Sequence, residues 1–282
     1  TTTGYYQCMA VESLFRQWKQ DEQRYTEVSE NDRGWLLEQI RRVRDVFRIP
    51  VIVIDYVAPH ERVLARQTAK QISELGFIPC VTSGTLDTLG LSTVEVLPRK
   101  VLFLHDGMSS IDLPLYDMFR FGALPLNYLG YHIEFLDVSK PLPQSSLVGR
   151  YAGIVSWLTR TPQNLHNYEQ WLLQQQKDGI PIVFLDTFAL PMESAVLKKL
   201  GFSSQTIQRP PAQVSVYAMD KSFMGFEMQP LPSLDAFSPL TQKDPSAQIL
   251  LDLTDADGRH MHAAALTSWG GYVLSPFVLR QM

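Results

Sequence analysis

The sequence predicts an α/β protein in which the C-terminal portion of a (β/α)₈ TIM-type barrel precedes a doubly wound, flavodoxin- or Rossmann-like domain with an antiparallel β extension. Apolar strand-like runs alternate with segments of helical periodicity up to residue 99, and the alternation starts again at residue 101. After residue 203, strand-like segments follow one another without a helix of useful length between them. We therefore expect three parts, a partial barrel at 1–99, a doubly wound domain at 100–203 and a β extension packed on it at 204–282.

Three strands and two helices are predicted in the first part. Continuous apolar runs are typical of parallel strands covered on both faces, and apolar residues that recur every three or four positions indicate helices. The Asn31–Asp32 pair is a good N-cap for the first helix, Pro59 opens the second, and Gly76 ends it. The expected strands are 5–10, 49–57 and 77–83, and the expected helices are 31–48 and 59–75. A loop rich in charge is expected between Glu12 and the first helix.

Strand-like and helical segments alternate again in the second part, which predicts an open parallel sheet with helices on both faces. A linker at 95–100 separates it from the first. Its expected strands are 101–107, 131–139, 151–159 and 180–188, and its expected helices are 112–129, 162–178 and 191–200. The extension is expected to contain strands at 214–220, 247–255, 260–267 and 270–276.

The bulk properties exclude several classes of protein. The net charge is −4 and the pI is about 5.9, so the chain offers no basic surface for nucleic acid, and we interpret Arg41–Arg44 as a solvated helix face. No apolar run approaches the roughly 20 residues that span a bilayer. The chain begins without Met or a signal-like segment, and we expect it to be a fragment or processed piece. Cys8 and Cys80 are expected to be buried free thiols, with a disulfide between them as the alternative.

Glu12 is the best single candidate for a catalytic acid, because it lies at the C-terminal end of the first predicted strand. The carboxyl ends of barrel strands carry the loops that build active sites, and an apolar approach to the carboxyl group favours its protonated form. A carboxylate that caps or salt-bridges a neighbouring loop is the alternative. Asp55 and Tyr56 end the next strand, and Thr82 and Ser83 end the one after, so these residues are expected to form one polar rim.

Aromatic residues lie close to this rim in the sequence, and flat aromatic rings are the usual stacking surface for sugars. Each of them, taken singly, is also a candidate core residue. The residues are Tyr6, Phe15, Trp18 and Tyr25. We expect Tyr6, Trp18, Tyr25, Asp55, Tyr56 and Thr82 to contact substrate.

Several segments resemble the endo-α-1,4-polygalactosaminidase family found in Pel exopolysaccharide biosynthesis proteins. They include AVESLFRQW, YTEV, NDRGWLLEQI, VIDYV, GFIPCVT and EVLPRKVLFLHDG, and the resemblance continues through YAGIVSWL to WGGYVLSP. It implies that the first part is the end of that family's hydrolase barrel and that Glu12 matches a catalytic carboxylate, acting as general acid. It also implies a cationic galactosamine-rich polysaccharide as substrate, a periplasmic or extracytoplasmic location, and other exopolysaccharide-biosynthesis proteins as candidate partners.

The resemblance also implies an incomplete active site. Glycosidases use two carboxylates that flank the scissile bond, and the family's second one, an Asp, comes from a strand that would precede Thr1. We therefore expect the chain alone to lack appreciable hydrolase activity. The alternative function is a non-catalytic polysaccharide-binding or structural module that orients neighbouring catalytic domains.

The middle and C-terminal parts suggest no cofactor and no metal. Asp106 and Asp186 end strands at the usual ligand edge, but the phosphate-binding glycine motifs are absent from the sequence. Ser156 lacks the flanking glycines of a nucleophile elbow, so we interpret it as structural. His260 and His262 share a strand face, but no third ligand accompanies them, and we expect a solvent-facing pair.

Overall fold

The computed structural model describes residues 6–107, 116–191, 193–204, 214–218, 231–233, 240–255, 258 and 260–274. The chain divides into two compact units. The first comprises Thr1–Pro98 and Ser146–Arg150, and the second comprises Arg99–Ser145 and Tyr151–Met282. The division into 1–99, 100–203 and 204–282 stays a prediction.

The first unit contains parallel strands, two helices and a hairpin. In chain order its elements are β1 (Met9–Glu12), β2 (Arg16–Lys19), β3 (Arg24–Glu27), α1 (Glu30–Val46), β4 (Val51–Tyr56), α2 (Arg62–Glu74) and β5 (Ile78–Thr82). β1, β4 and β5 are adjacent and parallel, in the order β1-β4-β5. The prediction of three neighbouring parallel strands is confirmed, although β1 lies further along the chain than residues 5–10.

Buried and partly buried residues alternate along β4, and this pattern shows which face of the sheet carries the core of the first unit. Val51, Val53 and Asp55 are buried on the side that packs against α1 and α2, where Ile40 and Ile72 are fully buried. Successive strand residues point to opposite faces, and Ile52 and Ile54 on the other face are only partly buried. One face of the three-stranded sheet therefore carries the packed core and the other is half open.

Two local predictions in this unit need correction. The N-cap of α1 is Ser29, whose hydroxyl accepts a hydrogen bond from the N–H of Asp32 at 3.1 Å, so the Asn31–Asp32 pair lies inside the helix. The charged segment after Glu12 is not a simple loop but the antiparallel hairpin β2–β3. One ion pair, Arg16–Glu27 at 2.8 Å, joins the two strands, and its opposite charges favour their pairing.

A short segment from the middle of the chain, Ser146–Arg150, also belongs to the first unit. Leu147 is fully buried. The carbonyl of Gly149 accepts a hydrogen bond from the N–H of Leu89 at 3.1 Å, and Arg150 lies 3.4 Å from the Asp87 carboxylate. The first unit is thus built from two separate stretches of sequence.

The second unit starts with alternating strands and helices and ends in strands. Its elements are β6 (Lys100–His105), a π-helix (Met118–Ala123), α3 (Leu124–Tyr128), β7 (His132–Asp137), β8 (Gly153–Ser156), α4 (Leu165–Asp178), β9 (Ile182–Leu185), α5 (Ala195–Lys199), β10 (Phe202–Ser204), β11 (Val214–Ala218), β12 (Leu231–Ser233), β13 (Leu240–Gln242), β14 (Gln248–Asp255), β15 (His260–Thr267) and β16 (Gly270–Val273). The helix expected over 112–129 is replaced by the π-helix and α3 within its described part, because Pro125 cannot donate a helical hydrogen bond.

Within the described residues, nine strands form one mixed sheet in the order β12-β11-β14-β15-β16-β9-β8-β6-β7. The strands β7, β6, β8 and β9 are parallel, as predicted. The expected open parallel sheet does not end with these strands, because β16 pairs parallel with β9 and antiparallel with β15, which joins the extension to it. Gly270 and Gly271 make this insertion possible, since a Cβ at either position would overlap the backbone of Ile182 or Ala265.

No helix among the described residues is long and apolar enough to cross a membrane. Cys8 and Cys80 are both free thiols, and Cys8 is exposed rather than buried. Parallel strands linked by helices place the chain in the α/β class. The barrel and the flavodoxin-type identity of the two sheets stay predictions.

Candidate functional site

Glu12 is the last residue of β1 and is exposed at the carboxyl end of the three-stranded sheet. The next residue, Ser13, has a φ of 61°, which turns the chain sharply away from the strand. The Tyr56 hydroxyl, at the end of β4, donates a hydrogen bond to Glu12 Oε2 at 2.8 Å. The carboxyl group is therefore held by one oxygen at the edge where parallel strands end.

Tyr56 is a buried donor to this carboxyl group, with 7% of its surface exposed. Burial, together with the neighbouring Glu12 carboxylate, raises the pKa of Tyr56 to about 12. The hydroxyl therefore keeps its proton throughout the neutral range. It acts on Glu12 as a fixed hydrogen-bond donor rather than as an acid or a base.

Asp55 lies beside Tyr56 but points into the core, and none of its surface is exposed. Its carboxylate accepts hydrogen bonds from three successive backbone N–H groups, those of Leu14 (2.7 Å), Phe15 (2.8 Å) and Arg16 (2.9 Å). Burial raises the pKa of Asp55, and the three N–H donors oppose that shift. This geometry does not fit the direct substrate contact that we expected of Asp55; it fits a residue that fixes the backbone immediately after Glu12.

Trp18 and Tyr25 form an aromatic pair on the β2–β3 hairpin, with ring centroids 4.6 Å apart and planes tilted by 49°. The Gly84 N–H, just after β5, donates a hydrogen bond to the Tyr25 hydroxyl at 3.2 Å. A Cβ at Gly84 would overlap the indole of Trp18, so the ring lies directly on the glycine backbone. Both aromatic residues are half-buried, and they stand at the same sheet edge as Glu12.

Thr82 and Tyr6, which were also expected to contact substrate, are less suitably placed to do so at Glu12. Thr82 is buried, and its hydroxyl is within 3.2 Å of the Thr88 hydroxyl, so it supports a local turn. Tyr6 is 66% exposed but precedes β1, and the direction of that strand places Tyr6 on the side opposite to Glu12. Of the expected contact residues, the structure brings only Tyr56 into hydrogen-bond contact with Glu12.

Ser83 lies at this edge, as expected, and so do Gly84 and Asp87, which sequence reasoning did not single out. Ser83 is buried, and its hydroxyl donates a hydrogen bond to Asp87 Oδ1 at 2.9 Å. Hydrogen bonds from Thr85 and Ser83, with the nearby Arg150, lower the pKa of Asp87 against the opposing effect of its burial. A small-residue turn directly after a predicted strand was the signal that could have identified them.

In the second unit, Asp106 lies at the edge of the sheet where the parallel strands β6 and β8 end. Its Oδ2 accepts hydrogen bonds from the N–H of Thr159 (2.9 Å), the hydroxyl of Thr159 (2.7 Å) and the N–H of Arg160 (2.9 Å). These contacts bridge the ends of β6 and β8, the position where open α/β sheets usually bind ligands. Asp186 follows β9 with a φ of 71°. Ser156 is fully buried and within 2.9 Å of the Tyr168 hydroxyl, which fits a structural role.

The candidate metal pair is only partly described. His262 is half-buried and its Nδ1 accepts a hydrogen bond from the Gln242 N–H at 3.4 Å, whereas the side chain of His260 lies outside the described residues. Within the described part of the chain, no group of three or more His, Cys, Asp or Glu side chains has the geometry of a metal site.

We expect the second unit to lose stability as the pH falls below 6.5, the ordinary pKa of histidine, because of His105. Burial lowers the pKa of His105 and outweighs the nearby carboxylates of Asp137 and Asp106. The unfolded chain then binds more protons than the folded one in this range, so protonation favours unfolding.

The urea midpoint, measured at about pH 7.5 and about pH 5.5, should fall less on acidification in His105→Asn than in the original chain. Replacing the exposed His166 with Asn is the matched control. Equal acid sensitivity in the original chain and His105→Asn would contradict the assignment.

Comparison with known proteins finds distant similarities. No family model and no curated protein matches the chain. Among solved structures, the chain is 36% identical to the glycoside hydrolase domain of PelA from Pseudomonas aeruginosa, over 32% of this chain and 35% of that one, with a TM-score of 0.30. The chain thus spans about a third of the length of that domain, and the relation is distant.

Two further structures are similar over a larger share of the chain at low identity. A ThuA-like protein from Bacteroides uniformis is 15% identical over 64% of this chain and 83% of that one, with a TM-score of 0.46. A glutamine amidotransferase from Thermotoga maritima is 15% identical over 62% of this chain and 74% of that one, with a TM-score of 0.39.

Proposed function

We propose that the chain has a carbohydrate-related role and that its first unit forms part of a glycoside hydrolase site with Glu12 as the general acid. The observation that carries the proposal is the hydrogen bond of 2.8 Å from the Tyr56 hydroxyl to Glu12 Oε2 at the carboxyl edge of the sheet. That bond holds one carboxyl oxygen. Because Glu12 is exposed, its second oxygen, Oε1, can approach a glycosidic oxygen and donate a proton to it.

The surrounding residues support this assignment because they hold the reacting group in place. Asp55 fixes the backbone after Glu12 through three N–H groups, and Tyr56 fixes the side chain. A general acid is effective only when it is positioned within hydrogen-bond reach of the leaving group. A carboxylate that merely salt-bridges a loop would not need a buried tyrosine as its partner.

The substrate that we propose is a cationic galactosamine-rich polysaccharide, outside the cytoplasm, as the family resemblance implies. The net charge of −4 is compatible with a polycation. Hydrolysis needs a second carboxylate at roughly 5–9.5 Å from the first, depending on whether configuration is retained or inverted. Asp55 is buried and accepts three backbone hydrogen bonds, so we propose that the second carboxylate comes from another part of the protein.

A polysaccharide-binding module is the second candidate function, and the aromatic pair favours it. Trp18 and Tyr25 lie at the Glu12 edge of the sheet, held by the backbone of Gly84. Sugar rings present flat C–H faces that pack on indole and phenol rings. This arrangement would retain polymer whether or not the chain cleaves it.

We expect Trp18→Ala to weaken binding of partly deacetylated galactosaminan about tenfold, which corresponds to about 1.4 kcal/mol, by removing the larger ring of the pair. Binding is measured by affinity electrophoresis or calorimetry. Trp35→Ala, which removes an indole that is 66% exposed on α1, serves as the matched control. Equal losses in the two variants would contradict a binding role for the pair.

The enzyme hypothesis is tested by hydrolysis of the same polymer. The 282-residue chain is assayed beside a version extended at its N-terminus with its native preceding residues. We expect product only from a form that supplies the second carboxylate. Binding without hydrolysis in both forms would favour the binding module over the hydrolase.

A further inference from the structure

Strand β7 forms one end of the nine-stranded sheet, and no strand lies beside its outer edge among the residues that the structure describes. On its inner side β7 pairs parallel with β6 over its whole length, without a bulge. The backbone groups of an unpaired strand edge are a template for another strand, and many proteins block such an edge with a lysine, a proline or a bulge. The sequence of β7, HIEFLD, contains neither lysine nor proline.

The hydrogen bonds between β7 and β6 show which backbone groups face outwards. The N–H groups of His132 and Val138, near the two ends of β7, donate to carbonyls on the β6 side, each at 2.8 Å. Backbone groups of successive strand residues point to opposite sides, so those of Ile133 and Phe135 point to the open edge. Neither of these two N–H groups has a hydrogen-bond partner within the described part of the chain.

Exposed apolar side chains lie beside this edge, on the helix that leads into β7. α3 packs against β7, and Ile133 and Phe135 belong to the apolar cluster on the side of the strand that α3 covers. On α3 and directly after it, Leu124, Tyr128 and Leu129 are 47%, 92% and 61% exposed. Large exposed apolar side chains next to an unpaired strand are typical of a protein interface.

The side chains of β7 are complementary to a second copy of the same strand. In an antiparallel pair centred on Ile133, each His132 lies opposite Glu134 of the other copy, because a two-fold axis brings together residues on either side of the centre. An imidazole then neighbours a carboxylate twice, on the face opposite to Ile133. A pair centred on Glu134 would place two carboxylates opposite each other, and one centred on Phe135 would place Glu134 opposite Leu136. Charge complementarity therefore favours a second copy, in the register centred on Ile133.

We propose that two copies of the chain associate through β7, which pairs antiparallel with β7 of the other copy about a two-fold axis at Ile133. Each Ile133 N–H donates to the Ile133 carbonyl of the other copy, and each Phe135 N–H donates to the Tyr131 carbonyl of the other copy. These four hydrogen bonds join the two nine-stranded sheets. The interface belongs to the second unit, so the proposal does not depend on the role proposed for Glu12.

The first test is sedimentation equilibrium of the 282-residue chain from micromolar to millimolar concentration. We expect the mass to rise from that of a monomer to that of a dimer and no further, because pairing uses the β7 edge of both copies. Hydrogen exchange adds a local measurement. The amides of Ile133 and Phe135 should exchange more slowly at high concentration, whereas those of His132 and Glu134, which face β6, should change little.

A charge exchange separates pairing of β7 from a general effect on the fold. His132→Glu should raise the dimer Kd at least about tenfold, because it places carboxylates opposite each other twice. Adding Glu134→His restores both pairs with their members exchanged, and the Kd should return to within about threefold of the original. His166→Glu, at an exposed position of α4, is the matched control and should leave the Kd unchanged. Circular dichroism confirms that each variant is folded.

Three results would overturn the proposal. The first is a chain that remains a monomer at millimolar concentration. The second is a mass that continues to grow beyond the dimer, since a two-fold interface is closed. The third is a folded double variant, His132→Glu with Glu134→His, that dimerises no better than His132→Glu alone.

Discussion

Asp55→Ala is expected to destabilise the first unit by about 3–5 kcal/mol, because it removes the acceptor of three backbone N–H groups at once. The N–H of Leu14 would then remain in the core without a partner, and those of Phe15 and Arg16 would be only partly solvated. Asp55→Asn keeps one carbonyl acceptor and should have an intermediate effect. Urea unfolding monitored by circular dichroism measures the change.

Amide hydrogen exchange identifies the cause of that destabilisation. The N–H groups of Leu14, Phe15 and Arg16 should exchange much faster in Asp55→Ala than in the original chain, more so than other amides of the same unit. Asp45→Asn, which changes an exposed carboxylate paired with Arg44, should leave both stability and exchange unaltered. Unchanged protection of those three amides in Asp55→Ala would contradict the positioning role.

Glu12→Gln is expected to lower polysaccharide hydrolysis by about 10²–10⁴-fold in a form of the protein that cleaves galactosaminan. The amide keeps the shape of the side chain and can still accept the hydrogen bond from Tyr56, but it cannot donate a proton as an acid does. Polymer binding should therefore survive while turnover falls. Initial rates of reducing-end release, with binding measured separately, distinguish the two.

Two further variants sharpen the test of Glu12. Tyr56→Phe should lower kcat about tenfold and leave polymer affinity nearly unchanged, because only the orientation of the acid is lost. Glu30→Gln, which alters an exposed carboxylate on α1, is the matched control and should have full activity. If a form that cleaves galactosaminan does so at the same rate with Glu12 and with Glu12→Gln, the chemistry lies elsewhere in the protein.

The elements with strong periodicity could be predicted from the sequence. The apolar run that forms β4 and the repeating apolar positions of α1 and α2 each indicate one structure, because burial on both faces of a strand or on one face of a helix leaves a clear pattern. The β2–β3 hairpin could not be predicted in this way. Its contacts include the Arg16–Glu27 ion pair between its strands and the packing of the Trp18 indole on Gly84, and neither leaves a periodic pattern in the sequence.

The position of β16 in the sheet could not be predicted from the sequence for a similar reason. Residues 270–276 read as a strand, but nothing local indicates that its partners are β15 on one side and β9 on the other. The choice depends on space, since Gly270 and Gly271 let the backbones approach more closely than a Cβ would permit. Sequence periodicity reports burial and gives no direct information on which strands are neighbours.

The candidate site was predictable in its residues and less so in their roles. The end of each strand identified Glu12, Asp55 and Tyr56 as neighbours, because parallel strands bring their carboxyl ends to one edge. The direction in which each side chain points was not predictable, although it determines which of these residues can contact a substrate and which support the site. Asp55 points to the core and Tyr56 to Glu12, although the two residues are adjacent in the chain.

Because Ser146–Arg150 belongs to the first unit, no single cut of the chain separates the two units completely. The boundary between the units is crossed after residues 98, 145 and 150, so a protease cut between Pro98 and Arg99 would nick the protein without releasing a whole unit. A gene segment that ends at Pro98 would encode a first unit without its buried Leu147 and without the carbonyl that receives the Leu89 N–H. Recombination between genes therefore transfers the first unit intact only when it also transfers residues 99–145 of the second unit.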